Sequence, residues 1–269
     1  MKRRNYLISI IIAVMIITSS TNVFAVDNNS WTDATKTSQG QSEKWSEWCD
    51  KWEKIKNSPT QMSLSPGSDE TQLNFAWYSK TCEIKPNLKI SDNPEMKNST
   101  ALQVTTTNAT EGFKSNKATA TDLKPNTRYY YSYTINGKWT KPTLYQTKNS
   151  KRYSFAFVGD PQIGASWRCM PKDLSEDEIQ DRAVRNDSFN WNNTIESIIK
   201  RDCNISFIIS SGDQIQSRDK GKSNALYNKN EIEYSGYLSP SLLKSMPVAT
   251  TIGNHDSPSG NYSYHFNTP

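Results

Sequence analysis

YSFAFVGDPQ, residues 153–162, decides the fold. An apolar run turns polar at Gly159-Asp160, and the same grammar returns in ISFIISSGDQ (205–214) and PVATTIGNHD (247–256). Residues 153–158, 205–209 and 247–252 each read as a buried strand. Between the first two, residues 188–201 read as a helix burying Phe189, Ile195, Ile198 and Ile199, with Ser188 or Asn190 available as its cap. A shorter helix is expected at 242–245. Strands alternating with helices imply a parallel sheet with right-handed crossovers, and such sheets bind ligands beyond the carboxyl ends of their strands. Three loops distant in sequence are therefore expected to bring Asp160, Gln162, Asp213, Asn254 and His255 to one crevice. Oxygen and imidazole donors converging there suit divalent metal ions. The polar stretch 162–187 is expected to be a long loop overhanging that crevice.

The chain opens as an export signal. Lys2, Arg3 and Arg4 precede an apolar core at 6–17, and Val23-Phe24-Ala25 is a small-residue cleavage site. The apolar run is short for a bilayer span, so residues 1–25 are assigned as a signal peptide, with no transmembrane span after cleavage. The product is expected to be secreted or held at the cell surface. The net charge of +5 includes three from those bases, leaving +2, which gives no reason to expect nucleic acid as a partner. Export permits disulfides, and Cys49, Cys82, Cys169 and Cys203 allow three pairings; Cys169 with Cys203 is the expected one. The spacings hold no CxxC or Cys/His cluster of the zinc-finger kind.

Residues 26–57 divide into a polar leader and a Trp-rich helix at 42–56, where Trp45, Trp48, Trp52 and Ile55 share one face. That face suits docking on a neighbouring domain better than binding glycans. Residues 58–148 switch to short strands: 71–79, 101–107, and 128–135 with Tyr129, Tyr131, Tyr133 and Ile135 alternating. Asn136-Gly137 is a hairpin turn into 138–147. The stretch 123–129, Leu-Lys-Pro-Asn-Thr-Arg-Tyr, resembles the tyrosine corner of fibronectin type III domains, with Tyr129 as its tyrosine and Trp77 as the core tryptophan. The fold class is thus multi-domain, an all-β fibronectin III- or Ig-like sandwich followed by an incomplete α/β domain at 151–269.

Singly, a strand ending in Gly-Asp marks a turn more often than a ligand. Three such endings together resemble the calcineurin-like metallophosphoesterase superfamily, and the sandwich before them resembles the layout of the purple acid phosphatases. What the resemblance implies is an exported phosphoesterase with two divalent ions (Fe, Zn or Mn) and a phosphate-ester substrate. It implies Asp160 on the first ion, Asp213 bridging, Asn254 on the second and His255 against the phosphate or leaving-group oxygen. A metal-bound hydroxide would attack, because paired cations lower the pKa of water and clamp both reacting oxygens.

This chain departs from that pattern. Gln162 stands where many members have His, and its carbonyl is a candidate ligand. Gln216 stands where the purple enzymes carry Tyr, so the purple colour is expected to be absent. The chain holds two histidines, His255 and His265, and lacks the family's later His and GHxH pair. His265 reads as a loop or substrate-contacting residue. These counts lead to the expectation of a truncated chain that binds metal weakly and has little activity alone. A cell-surface binding module and a nucleotide or phospholipid diesterase are the alternatives.

Overall fold

The structure, a computed structural model, describes residues 42–58, 61–82, 85–109, 112–217 and 224–269. The expected signal peptide and residues 26–41 lie outside the described residues.

Short strands rich in aromatic and β-branched residues build two antiparallel sheets. The first joins β1 (Ser63–Pro66), β2 (Leu73–Lys80), β5 (Thr105–Asn108) and β6 (Phe113–Ala120) in the order β1-β2-β6-β5. The second runs β4 (Thr100–Leu102), β3 (Leu88–Ser91), β7 (Arg128–Ile135), β8 (Lys138–Trp139), with β9 (Thr143–Gln146) also on β7. The sheets enclose Leu64, Phe75, Trp77, Leu88, Tyr131 and Tyr133. Trp77 meets Tyr133 edge-on at 5.7 Å. The Lys124 N–H donates to the Tyr129 hydroxyl at 2.8 Å, the expected corner contact. Asn136 and Gly137 have φ of 51° and 74°, the two positive values that a type I′ hairpin turn requires.

One expectation fails here. Residues 101–107 are not one strand: β4 pairs with β3, whereas β5 pairs with β6 in the opposite sheet. The chain changes sheets between them, which a run of Thr and Gln does not signal.

Downstream, β10 (Ser154–Val158), β11 (Ile205–Ser210) and β12 (Val248–Thr250) form a parallel sheet in sequence order. Its helices also run differently from expectation. α2 spans Glu176–Arg201, so residues 176–187 are helix rather than loop. The reason is a capping box: Ser175 Oγ accepts the Glu178 N–H while the Glu178 carboxylate accepts the Ser175 N–H, satisfying donors at a polar helix start. A 3₁₀ turn at Ala165–Cys169 fills more of that stretch. α3 (Asn224–Tyr237), followed by a 3₁₀ turn at Ser241–Lys244, joins β11 to β12, and α4 (Asn261–His265) follows the third motif.

The Trp-rich helix, α1 (Ser42–Ile55), docks on this parallel region rather than on the sandwich next to it in sequence. Trp45, Trp48 and Trp52 are buried against Val184, Phe189 and Trp191. Indole N–H groups need partners when buried. Trp48 donates to the Arg185 carbonyl at 2.8 Å and Trp52 to Asp181 Oδ1 at 2.7 Å. That burial removes the glycan reading of the stripe. Cys169 and Cys203 are exposed and are not joined, so the expected disulfide is absent. No helix among the described residues is long and apolar enough to cross a membrane.

Candidate functional site

Register sets the geometry. Val158 lies opposite Ser210, and Ser210 opposite Thr250, so the three strands end in one row. The loops beyond them leave the same edge of the sheet, as the sequence pattern requires.

Backbone pairing continues past that row. Gln162 N–H donates to the Asp213 carbonyl at 2.9 Å, and Ile163 N–H donates to the Gln214 carbonyl at 3.2 Å. Ile163 and Ile215 form a parallel bridge, so the first two loops travel together. Asp160, Gln162 and Asp213 have φ of 43°, 34° and 52°, left-handed values that strand-forming residues avoid. The second and third loops touch through glycines. A Cβ on Gly212 would sit 2.9 Å from the Gly253 backbone, and one on Gly253 would sit 2.1 Å from Asp213 Oδ1. Glycine is therefore a packing requirement of both motifs.

The described structure brings Gln162, Asp213 and His255 into contact. Asp213 is buried; its Oδ1 accepts the His255 N–H at 2.8 Å and its Oδ2 the Gln162 side-chain amide at 3.4 Å. His255 Nδ1 lies 2.7 Å from the Gln216 carbonyl. A carbonyl only accepts, so Nδ1 carries the proton and, in the neutral ring, Nε2 presents its lone pair. Asp160 and Asn254 are exposed on the same edge. Asp160 and Gln162 open onto a cavity of about 450 Å³, shared with Asp187, Asn190 and Trp191.

Three supporting residues were not assigned from the sequence. Asp256, wholly buried, accepts N–H groups from Gln214 and Gly253 and the Tyr234 hydroxyl, tying the second loop to the third. Burial pushes its carboxyl up, and those N–H groups oppose the shift. Asp187 accepts the Gly164 and Ser166 N–H groups at 2.9 and 3.1 Å, fixing the turn after Gln162. Gln216 orients His255 through its backbone. Asp256 was visible as part of the third motif; the other two depend on tertiary contacts with no local signal. His265, expected in a loop or on substrate, is instead 2% exposed in α4.

In kind, these donors fit a hard divalent cation: two carboxylates and two amide carbonyls on one edge. In arrangement they fall short, for no group of three or more His, Cys, Asp or Glu among the described residues is placed to hold a metal ion.

The family model described as "Purple acid Phosphatase, N-terminal domain" matches residues 59–156, the stretch that builds the sandwich and enters β10. A solved purple acid phosphatase from yellow lupin (Lupinus luteus) seeds aligns with 79% of this chain at 16% identity and a TM-score of 0.52. The chain spans 41% of that phosphatase. A cyclomaltodextrinase, at 9% identity over 38% of this chain and 23% of its own, has a TM-score of 0.26 and carries no argument. No curated protein matches. The chain has a purple acid phosphatase-like layout with that N-terminal domain.

Proposed function

We propose that the chain carries a metal-dependent phosphoesterase site at the carboxyl edge of its parallel sheet. The observation that supports it most is the register of β10, β11 and β12, which sends GDPQ, GDQ and GNHD out of one edge. On this reading residues 58–148 and 151–269 are two domains, the second of metallophosphoesterase type and exported with the first. Asp160, Gln162, Asp213 and Asn254 hold the cations. Divalent ions bound there supply Lewis acidity toward phosphoryl oxygens.

The remaining roles belong to the chain. Asp213 sets the third loop by accepting the His255 N–H, and the Gln216 carbonyl holds the ring at Nδ1. Protonated at Nε2, His255 donates a hydrogen bond to a phosphoryl or leaving-group oxygen. The four proposed oxygen donors are fewer than the roughly six that each hard cation takes, so a two-ion centre requires others besides these. Little turnover is therefore expected from this chain alone.

Orthophosphate, the product, tests the reading without relying on turnover. Isothermal titration into the chain with Mn²⁺ present is expected to show binding that His255→Ala weakens and Asp213→Asn abolishes. Equal binding without the cation contradicts the reading, as does unchanged binding by Asp213→Asn. Any hydrolysis of p-nitrophenyl phosphate should likewise require the cation.

A further inference from the structure

Three buried contacts converge on one carboxylate away from the metal-ligand candidates. Glu231, on α3, is 6% exposed. Its Oε1 accepts the Asn261 side-chain amide at 2.6 Å and the Tyr78 hydroxyl at 3.2 Å, and its Oε2 lies 2.7 Å from His265 Nε2. The His265 ring is stacked on Tyr78 at 4.3 Å and tilted over Tyr234 at 4.6 Å. Tyr78 belongs to β2 of the sandwich, Glu231 and Tyr234 to α3, Asn261 and His265 to α4.

α4 closes the loop that begins with GNHD. That loop is thus held at both ends by one face of α3. Tyr234 reaches Asp256 at the near end, while Glu231, one helical turn away, takes Asn261 and His265 at the far end. The sandwich completes the clamp through Tyr78, and Ser115 on β6 adds a hydrogen bond of 2.7 Å to the Tyr264 carbonyl. A buried carboxylate must keep its donors, because leaving it unpaired is strongly unfavourable. The clamp is therefore specific in geometry and does not act through apolar contact alone.

We infer that Tyr78 and Glu231 are positioning residues for the Asn254–His255 loop, through which the sandwich holds the candidate site in shape. The sandwich is then a working part of the site rather than a detachable module. The inference rests on reading that loop as part of the site, and its test needs neither metal nor substrate.

The chain has two histidines, so ring ¹⁵N spectra report His255 and His265 without crowding. At a pH about two units above the usual imidazole value, the parent is expected to show His255 as a single Nδ1–H tautomer. Tyr78→Phe and Glu231→Gln should convert it to a tautomer mixture and speed amide exchange at 253–257 by about tenfold. Glu178→Ala, which breaks the distant α2 cap, should leave both readouts at parent values. If Glu231→Gln does not fold, Tyr78→Phe decides alone. An unchanged tautomer and unchanged loop exchange in Tyr78→Phe overturn the inference. So does an equal response in Glu178→Ala, which marks general destabilisation. Loss of metal binding with the clamp result intact would instead sink only the proposed function.

Discussion

Gly253 carries the tightest constraint in the candidate site. A methyl group there would overlap Asp213 Oδ1 at 2.1 Å and the Asp213 backbone nitrogen at 2.4 Å. Gly253→Ala is expected to destabilise the fold by about 1–3 kcal/mol in urea unfolding, since neither contact yields without moving a loop. A neutral result would mean the two loops separate freely. Asp187 offers a pH signature instead. Burial raises its carboxyl above the usual 3.8, against the pull of the Ser166 and Gly164 N–H groups. An acid whose folded pKa is raised contributes stability that is full below its unfolded value and lost as pH rises through the folded one. The stability of the parent relative to Asp187→Asn, which does not titrate, is thus expected to fall as pH climbs from about 4 toward 7. A parent whose stability relative to the variant rises over that range contradicts the assignment. At this scale the placement of Asp160, Gln162, Asp213, Asn254 and His255 at the carboxyl edge of the sheet was legible because each follows an apolar run. Asp187 and the Gln216 carbonyl were not, because a residue that supports another across the fold leaves no periodic trace.

Elements were legible where one face dominates. Residues 128–135 alternate so regularly that the expected strand and β7 have the same ends. α2 was half legible: its second half shows apolar spacing, whereas its first buries Gln180 and Asn186 beside Ala183 and Val184 and looks like loop. Only the Ser175–Glu178 box marks the true start. α1 was legible as a one-faced helix, but which surface it docks on is a tertiary fact. Trp52 is fully buried and its N–H is held by Asp181. Trp52→Ala is therefore expected to lower stability by roughly 3–5 kcal/mol, the cost of emptying an aromatic site. Urea unfolding at several protein concentrations checks it. A loss under about 1 kcal/mol would mean that α1 packs loosely and that its tryptophans are available to ligands after all.

At the scale of the whole molecule there are two cores, one inside the sandwich and one beneath the parallel sheet. Hydrogen bonds join them: Tyr131 to the Lys244 carbonyl at 2.7 Å, Ser245 to the Leu144 carbonyl at 2.6 Å, and the Glu231 clamp. The order sandwich then parallel sheet was readable from the switch in periodicity after residue 148, since strands and helices repeat differently. The contacts that join the regions were not, because they pair residues far apart in the chain. Phe155 and Phe157 of β10, and Tyr153 just before it, remain exposed, although parallel sheets are ordinarily covered on both faces. The central claim is that one edge of this sheet gathers cation ligands. Electron paramagnetic resonance of free Mn²⁺, titrated into the full chain, tests it most directly. The account predicts saturable uptake, with a dissociation constant on the order of 10⁻⁴–10⁻³ M, that disappears in Asp213→Asn and weakens in Asp160→Asn. The same uptake by all three proteins, or none by the parent, would contradict it.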